Sequence, residues 1–285
     1  MLTKELVEEE IRFEDKDEDL ISKLPDCILV EIVSRLPTTK EAIRTGTLSK
    51  RWKHLWTSVS NLVFLDHNEN KFVLDFFSFV DKTLTQRPRL KLYTFRLHTY
   101  YNSRLYGSHI QNWIRYAVSC NVEHLILRLW NRGHRNEFPL GHPVLETLEL
   151  KYCYGYRRLN ITSKSVKNLV FDGYMHASYN DIIEFNAPNI LTLTVQDVLV
   201  LTKFLLLNVS SLVEAHLDYT IPSWEYVTTI EEAEEEMLKG FILNLRHVKH
   251  LKVGISCSKV LDRLKAKGFL SPLNLKDPSD TSDSF

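Results

Sequence analysis

The side chains that could carry chemistry are few, and their spacing works against it. His247 and His250 suggest a metal site, but they fall on or beside one predicted strand, where a spacing of three sends side chains to opposite faces. His134 and His142 flank a loop without cysteine or carboxylate partners at ligand spacing, which suits surface histidines. Cys27, Cys120, Cys153 and Cys257 are widely separated and form no CxxC pair, as expected of reduced structural thiols. There is no P-loop, dinucleotide glycine fingerprint, HExxH or GxSxG elbow, and glycine occurs only nine times in 285 residues. The cluster Lys50, Arg51, Lys53 could pass for a localisation or phosphate-binding patch, and equally for the polar side of a helix. The expectation is therefore a non-catalytic protein with no cofactor and no metal.

Binding is the alternative, and composition narrows the partner. Lys plus Arg equals Asp plus Glu at 36 each, so no global field favours nucleic acid or an anionic membrane. The apolar runs near 72–80 and 198–207 are broken by Asp75 and Lys203 and are too short to span a bilayer. Residues 1–19 hold nine acidic and three basic side chains, the opposite of a signal peptide, and read as an acidic, solvated leader of an intracellular protein in cytoplasm or nucleus. A surface for another protein stays open.

The elements that would present such a surface begin at Leu20. Leu24, Ile28, Ile32 and Leu36 recur every four residues with Leu29 and Val33 beside them, giving a helix with one wide apolar stripe. Pro25 and Asp26 suit its first turn, and Pro37 prevents its continuation. Thr38 and Glu41 form a capping box for a second helix, which Gly46 breaks. Leu48, Trp52, Leu55 and Trp56 then follow the spacing of a third. A unit of this size buries too little to fold alone, so its apolar surface must meet the rest of the chain or another protein.

LPDCILVEIVSRLP followed by TGTLSKRWKHLW resembles an F-box, and is similar to the plant F-box/leucine-rich-repeat family often paired with a C-terminal FBD region. The resemblance implies docking on a Skp-type adaptor within an SCF (Skp, cullin, F-box) ubiquitin ligase and, through the adaptor, contact with cullin and RING subunits. By position it implies adaptor binding by Leu24, Pro25, Ile28, Leu29, Ile32, Leu36 and Trp52.

Beyond Trp56 one phrase recurs: an apolar residue, two of any kind, an apolar, one of any kind, an apolar. Its seven copies are Leu92/Phe95/Leu97, Val122/Leu125/Leu127, Leu145/Leu148/Leu150, Val166/Leu169/Phe171, Ile190/Leu193/Val195, Leu212/Ala215/Leu217 and Val248/Leu251/Val253. Between middle positions the intervals are 30, 23, 21, 24, 22 and 36 residues, and the four central ones fall in the leucine-rich-repeat range. The predicted fold class is α/β: a three-helix F-box, then an irregular leucine-rich-repeat solenoid with one strand per repeat and helical or loop connections. Helical spacing backs helices through Phe72–Leu84, Ile110–Val118, Ile230–Leu245 and a basic one through Lys259–Lys267. The expected divisions are an acidic leader (1–19), F-box (20–60), repeat domain (61–254) and a C-terminal helix with a disordered tail (255–285), the FBD region being truncated or missing.

Residues alternating with the buried set should face outward and offer a substrate surface: Arg96, His98, Arg128, Glu149, Lys151, Asp172, Gln196, His216 and Asp218. Two functions stay open on the sequence, a substrate receptor of a ubiquitin ligase and a scaffold or truncated form that occupies the adaptor without presenting a substrate.

Overall fold

A computed structural model describes residues 20–21, 23–66, 73–131, 145–154, 158–161, 164–174, 182–200, 203–222, 230–270 and 275–276. The acidic leader, His134 and His142 lie outside them.

The N-terminal unit starts with α1 (Asp26–Ser34). Pro25 precedes it in an extended conformation, and its carbonyl accepts the amides of Ile28 and Leu29 at 3.0 and 3.1 Å, starting the helix where proline needs no partner of its own. The capping box forms before α2 (Thr39–Arg44): Thr38 Oγ1 accepts the Glu41 amide at 3.3 Å, and the Glu41 carboxylate accepts the Thr38 amide at 3.2 Å. A short 3-10 turn, Thr45–Thr47, follows. Gly46 lets this turn lie against the next element, since a Cβ there would sit 3.3 Å from Lys53 Cα. The third element differs from expectation. Instead of an α-helix from Leu48 it is a 3-10 helix, Trp52–Ser58, whose three residues per turn place Trp52 and Leu55 on one side. Trp52, Leu55 and Trp56 are buried, while Leu48 lies outside the helix and is 67% exposed.

The rest is built on a nine-stranded sheet. Its strands are β1 (Asn61–Leu65), β2 (Thr94–Tyr101), β3 (His124–Asn131), β4 (Thr147–Tyr154), β6 (Asn168–Tyr174), β8 (Thr192–Leu199), β10 (Glu214–Thr220), β11 (His250–Val253) and β12 (Leu275–Lys276), in that spatial order. Every neighbouring pair is parallel, which requires each strand to be followed by a return segment before the next begins. Between these strands lie β5 (Arg158–Asn160), β7 (Ile182–Asn186) and β9 (Lys203–Leu207), which form a second parallel sheet. The remaining returns include α3 (Val73–Gln86), α4 (Ser103–Ser119), α5 (Ile230–Asn244) and α6 (Ile255–Ala266). All thus lie within a mixed α/β fold with a helical N-terminal unit and a large sheet.

The recurring phrase maps onto this sheet in register. Phe95 pairs with Leu125, then Leu148, Leu169, Leu193, Ala215 and Leu251, and two residues on Leu97 leads a matching row to Val253. None of the 21 phrase residues is more than 3% exposed. An eighth copy, Val59/Leu62/Phe64, forms β1 and pairs with the same rows. It was hidden by lying directly behind the third N-terminal element.

What closes the back of the sheet also differs from expectation. The central returns contain strands rather than loops alone, because LNI, IIEFN and KFLLL alternate apolar residues toward the core. Phe185 and Phe204 stack at 4.6 Å between ring centres, and Phe171 meets both edge-on at 5.1 and 5.3 Å. Phe241 of α5 continues this cluster at 5.0 Å from Phe204. At the other end, Asp81 of α3 accepts the Trp113 indole N–H of α4 at 2.6 Å and meets His109 at 3.0 Å, holding the two helices together. α6 begins at Ile255, four residues before the expected start, and Leu275–Lys276 pair with β11 where a disordered tail was expected.

The helical unit and the sheet share one core. Leu29, Val33, Trp52 and Trp56 join one core cluster with Leu62, Phe64 and the sheet interior. Thr39 Oγ1 accepts the Val63 amide at 2.7 Å, and buried Arg87 donates to the Val59 carbonyl at 2.6 Å. The helical unit is seated on the first edge of the sheet.

Candidate functional site: two surfaces on one core

The first surface belongs to α1. A wide stripe is apolar, and the fold splits it: Leu29 and Val33 point into the core, Leu24 and Leu36 lie half-buried, and Ile28 and Ile32 remain 44% and 42% exposed. Pro25 beside them is exposed, as are Leu20, Ile21 and Leu48 at 67%, 55% and 67%. Of the residues expected to bind an adaptor, Leu29 and Trp52 are therefore internal supports, and Pro25, Ile28 and Ile32 are on the outside. Arg51 fixes this arrangement. Its guanidinium meets the Asp26 carboxylate at 2.6 and 2.8 Å and also donates to the Leu24 carbonyl, clamping the 3-10 helix to the start of α1. The basic cluster thus supplies a structural tie.

The second surface is the face of the large sheet opposite the helices. Parallel sheets usually have both faces covered, so an uncovered one must carry polar side chains at its outward positions. Here one outward row runs Arg96, Ile126, Glu149, Val170, Thr194, His216 and Lys252, and the next His98, Arg128, Lys151, Asp172, Gln196 and Asp218. Exposure is lower than the alternation suggested. Arg96 is exposed, Asp172 is buried at 8%, and the other seven candidates are half-buried, because long side chains on strands about 4.8 Å apart cover one another.

Their charges are also partly spent. Lys151 Nζ bridges Glu149 at 2.7 Å and Asp172 at 3.1 Å. Asp218 Oδ1 accepts the Ser256 amide at 2.9 Å, and so serves the start of α6. Arg96 and Arg128 make no ion pair among the described residues.

The structure brings together a cluster that sequence reasoning missed in part. The Arg128 guanidinium lies over Trp130 at 4.6 Å and over Tyr152 at 4.7 Å, and Tyr100 packs on Trp130 at 3.8 Å between ring centres. His98 meets Trp130 edge-on at 4.9 Å. Two bulges aim these groups. In β4 and in β8 the register shifts by one residue, and Tyr152 and Asp197 adopt φ of 45° and 65° there. The Tyr152 hydroxyl consequently donates to Asp197 Oδ2, which pushes the phenol up to about 12. Gly173, at φ 75°, leaves room for the Tyr152 ring: a Cβ would lie 2.7 Å from Cε1. Tyr100, Trp130 and Tyr152 escaped notice because the phrase ends at its third apolar residue, whereas β2 and β3 run on to Tyr101 and Asn131.

Among the described residues, groups able to do covalent or metal chemistry stay dispersed. Burial pushes the Cys153 and Cys257 thiols up to about 12, which keeps them protonated. His247 Nε2 lies 3.0 Å from the Val209 carbonyl, while His250 sits at the start of β11. Among the described residues no cluster of three or more His, Cys, Asp or Glu could hold a metal, and no helix is long and apolar enough to cross a membrane.

The family model described as F-box domain matches residues 21–64, reaching through β1. The chain carries an F-box domain, and its homologues in Arabidopsis thaliana are named F-box/LRR-repeat and FBD-associated F-box proteins. One named F-box/LRR-repeat protein is 28% identical across 90% of this chain, and the match spans 64% of that relative's length. A second, named F-box protein, is 29% identical over 90% of this chain and 75% of its own. A third, named F-box/FBD/LRR-repeat protein, is 34% identical over 53% of this chain and 33% of its own. No solved structure matches.

Proposed function

We propose that this chain is the substrate-receptor subunit of an SCF-type ubiquitin ligase. The observation that carries the reading is the F-box domain's exposed apolar stripe: Ile28 and Ile32 stay 44% and 42% exposed although Leu29 and Val33, each one residue on, are fully packed. Covering the exposed part of each such side chain contributes on the order of 1 kcal/mol, so several together hold a partner. A Skp-type adaptor occupies that stripe, with Leu24, Pro25 and Leu36 at its margin and Leu29 and Trp52 supporting it from beneath. Cullin and RING subunits join through the adaptor and supply the catalysis.

In this reading residues 20–60 form the F-box and 61–254 a leucine-rich-repeat solenoid followed by a C-terminal segment at 255–285. The in-register phrase, whose four central intervals are 21–24 residues, supports it, since each copy offers two core rows that only its neighbours can cover. The open sheet face then binds a protein target through Arg96, His98, Arg128, Gln196 and His216, with Glu149, Lys151, Asp172 and Asp218 shaping the surface. Affinity capture with and without proteasome inhibition tests the function. The account expects adaptor and cullin together with a protein that accumulates when this chain is depleted; adaptor alone, with nothing stabilised, would favour the scaffold alternative.

A further inference from the structure

We propose that the part of the sheet face spanning β2 to β4 recognises an extended acidic segment of its target, in which two carboxylates at alternate residues are followed by an aromatic side chain. The inference rests on the sheet face being the receptor surface, and it names what that surface selects.

Arg128 carries the argument. Trp130 and Tyr152 both pack against its guanidinium, with Cζ 4.6 and 4.7 Å from their ring centres, which leaves its N–H groups to hydrogen-bond in the guanidinium plane. Its Nε is buried without a hydrogen-bond partner, so the guanidinium is not tied down from within and is left to an incoming acceptor at its outer N–H groups. The nearby acids do not provide one. Glu149 and Asp172 are held by Lys151, and Asp197 accepts the Tyr152 hydroxyl and the Val198 amide at 2.8 Å. A carboxylate approaching edge-on matches the planar fork and finds the rotamer already fixed by stacking.

Spacing defines the rest. Arg96 of β2 is diagonal to Arg128 of β3, because Arg96 pairs with Ile126 and Arg128 with His98. Diagonal neighbours lie about 7–8 Å apart, close to the separation of residues i and i+2 in an extended peptide, roughly 6.6–7 Å. One step further along both strands come Tyr100 and Trp130, which pair with each other in register and stack. An extended peptide running along β2 and β3 therefore meets a cation, a second cation and an aromatic surface at alternate side chains. The positive charge of Arg96 and Arg128, uncompensated by any ion pair among the described residues, selects acidic over basic sequences.

The test uses the full chain purified with its Skp-type adaptor and fluorescein-labelled peptides read by polarisation. Glu-Gly-Glu-Gly-Phe should bind saturably, and Lys-Gly-Lys-Gly-Phe and Glu-Gly-Glu-Gly-Gly should each bind about tenfold or more weakly. Arg128→Gln should weaken the acidic peptide by roughly tenfold to a hundredfold. Arg128→Lys should do nearly the same, because lysine keeps the charge and loses the fork. Arg96→Gln, at an exposed position, gives a separate reading if the Arg128 variants melt early, and should weaken the same peptide. Equal binding of acidic and basic peptides, or indifference to Arg128→Gln and Arg96→Gln, would overturn the proposal. A parallel assay of target capture separates the two levels. If Arg96→Glu with Arg128→Glu loses the target while no acidic peptide binds, the peptide class is wrong and the receptor face stands; if capture is unaffected, the receptor face itself fails.

Discussion

The two uncovered surfaces of this molecule are built from the same core yet differ in kind. The F-box stripe exposes branched aliphatic side chains with little polar decoration, whereas the sheet face presents guanidinium, imidazole and aromatic rings beside the ion pairs of Lys151 with Glu149 and Asp172. An aliphatic stripe gains by being covered permanently, and its affinity comes mostly from area removed from water. A polar, aromatic face stays soluble when open and gains only when a partner places its groups correctly. Under the proposed function, the difference suits one lasting partner at the F-box and an exchangeable one at the sheet.

If both surfaces stand on one core, the largest effects should come from below them and damage both. Leu29→Ala and Leu148→Ala each leave a cavity at a site with no exposure, and each should cost about 2–5 kcal/mol in chemical denaturation. Glu149→Ala, next along the same strand, should cost far less, since its ion pair with Lys151 is only partly shielded. Equal sensitivity at 148 and 149 would remove the alternation on which the open face depends.

A smaller effect tests the seam. Thr39→Val removes the acceptor for the Val63 amide and should cost about 1–3 kcal/mol. Both surfaces should be lost in one cooperative transition if the helical unit and the sheet fold as a single body. Two separated transitions would instead restore a boundary near residue 60.

The smallest effect is confined to the sheet face and leaves the F-box untouched. Hydrogen bonding to Asp197 raises the Tyr152 phenol from 10.0 to about 12. A phenol raised in the folded state contributes stability that is present below its unfolded value and is lost as pH rises through the folded one, so the window is about pH 10 to 12. Asp197→Asn should return the phenolate absorbance step assigned to Tyr152, by difference from Tyr152→Phe, toward pH 10. An unchanged step would place the cause elsewhere.

The core rows were legible in the sequence because alternation and a steady interval constrain each other: Leu148 and Leu150 could not be shifted by one without breaking six other copies. The capping box at Thr38 was legible for a local reason, as both partners lie within four residues. Other features depend on neighbours the sequence cannot rank. The stripe of α1 is too wide for periodicity to tell Leu29, which is buried, from Ile28, which is not. β5, β7 and β9 are three to five residues long, too short for a pattern to separate from loop. The Arg128 cluster depends on two bulges, and a one-residue register shift leaves no signature in composition. Asp218 looked like an open-face acid because its partner, the Ser256 amide, is 38 positions away in sequence.

The central claim, two independent surfaces on one core, is tested most directly by calorimetric titration of a Skp-type adaptor into three purified chains: the wild type, Ile28→Asp with Ile32→Asp, and Arg96→Glu with Arg128→Glu. The wild type and the arginine variant should bind one adaptor with the same affinity, and the isoleucine variant should show no heat of binding while melting like the wild type. Adaptor binding that survives in the isoleucine variant, or that falls in the arginine variant, would contradict the account.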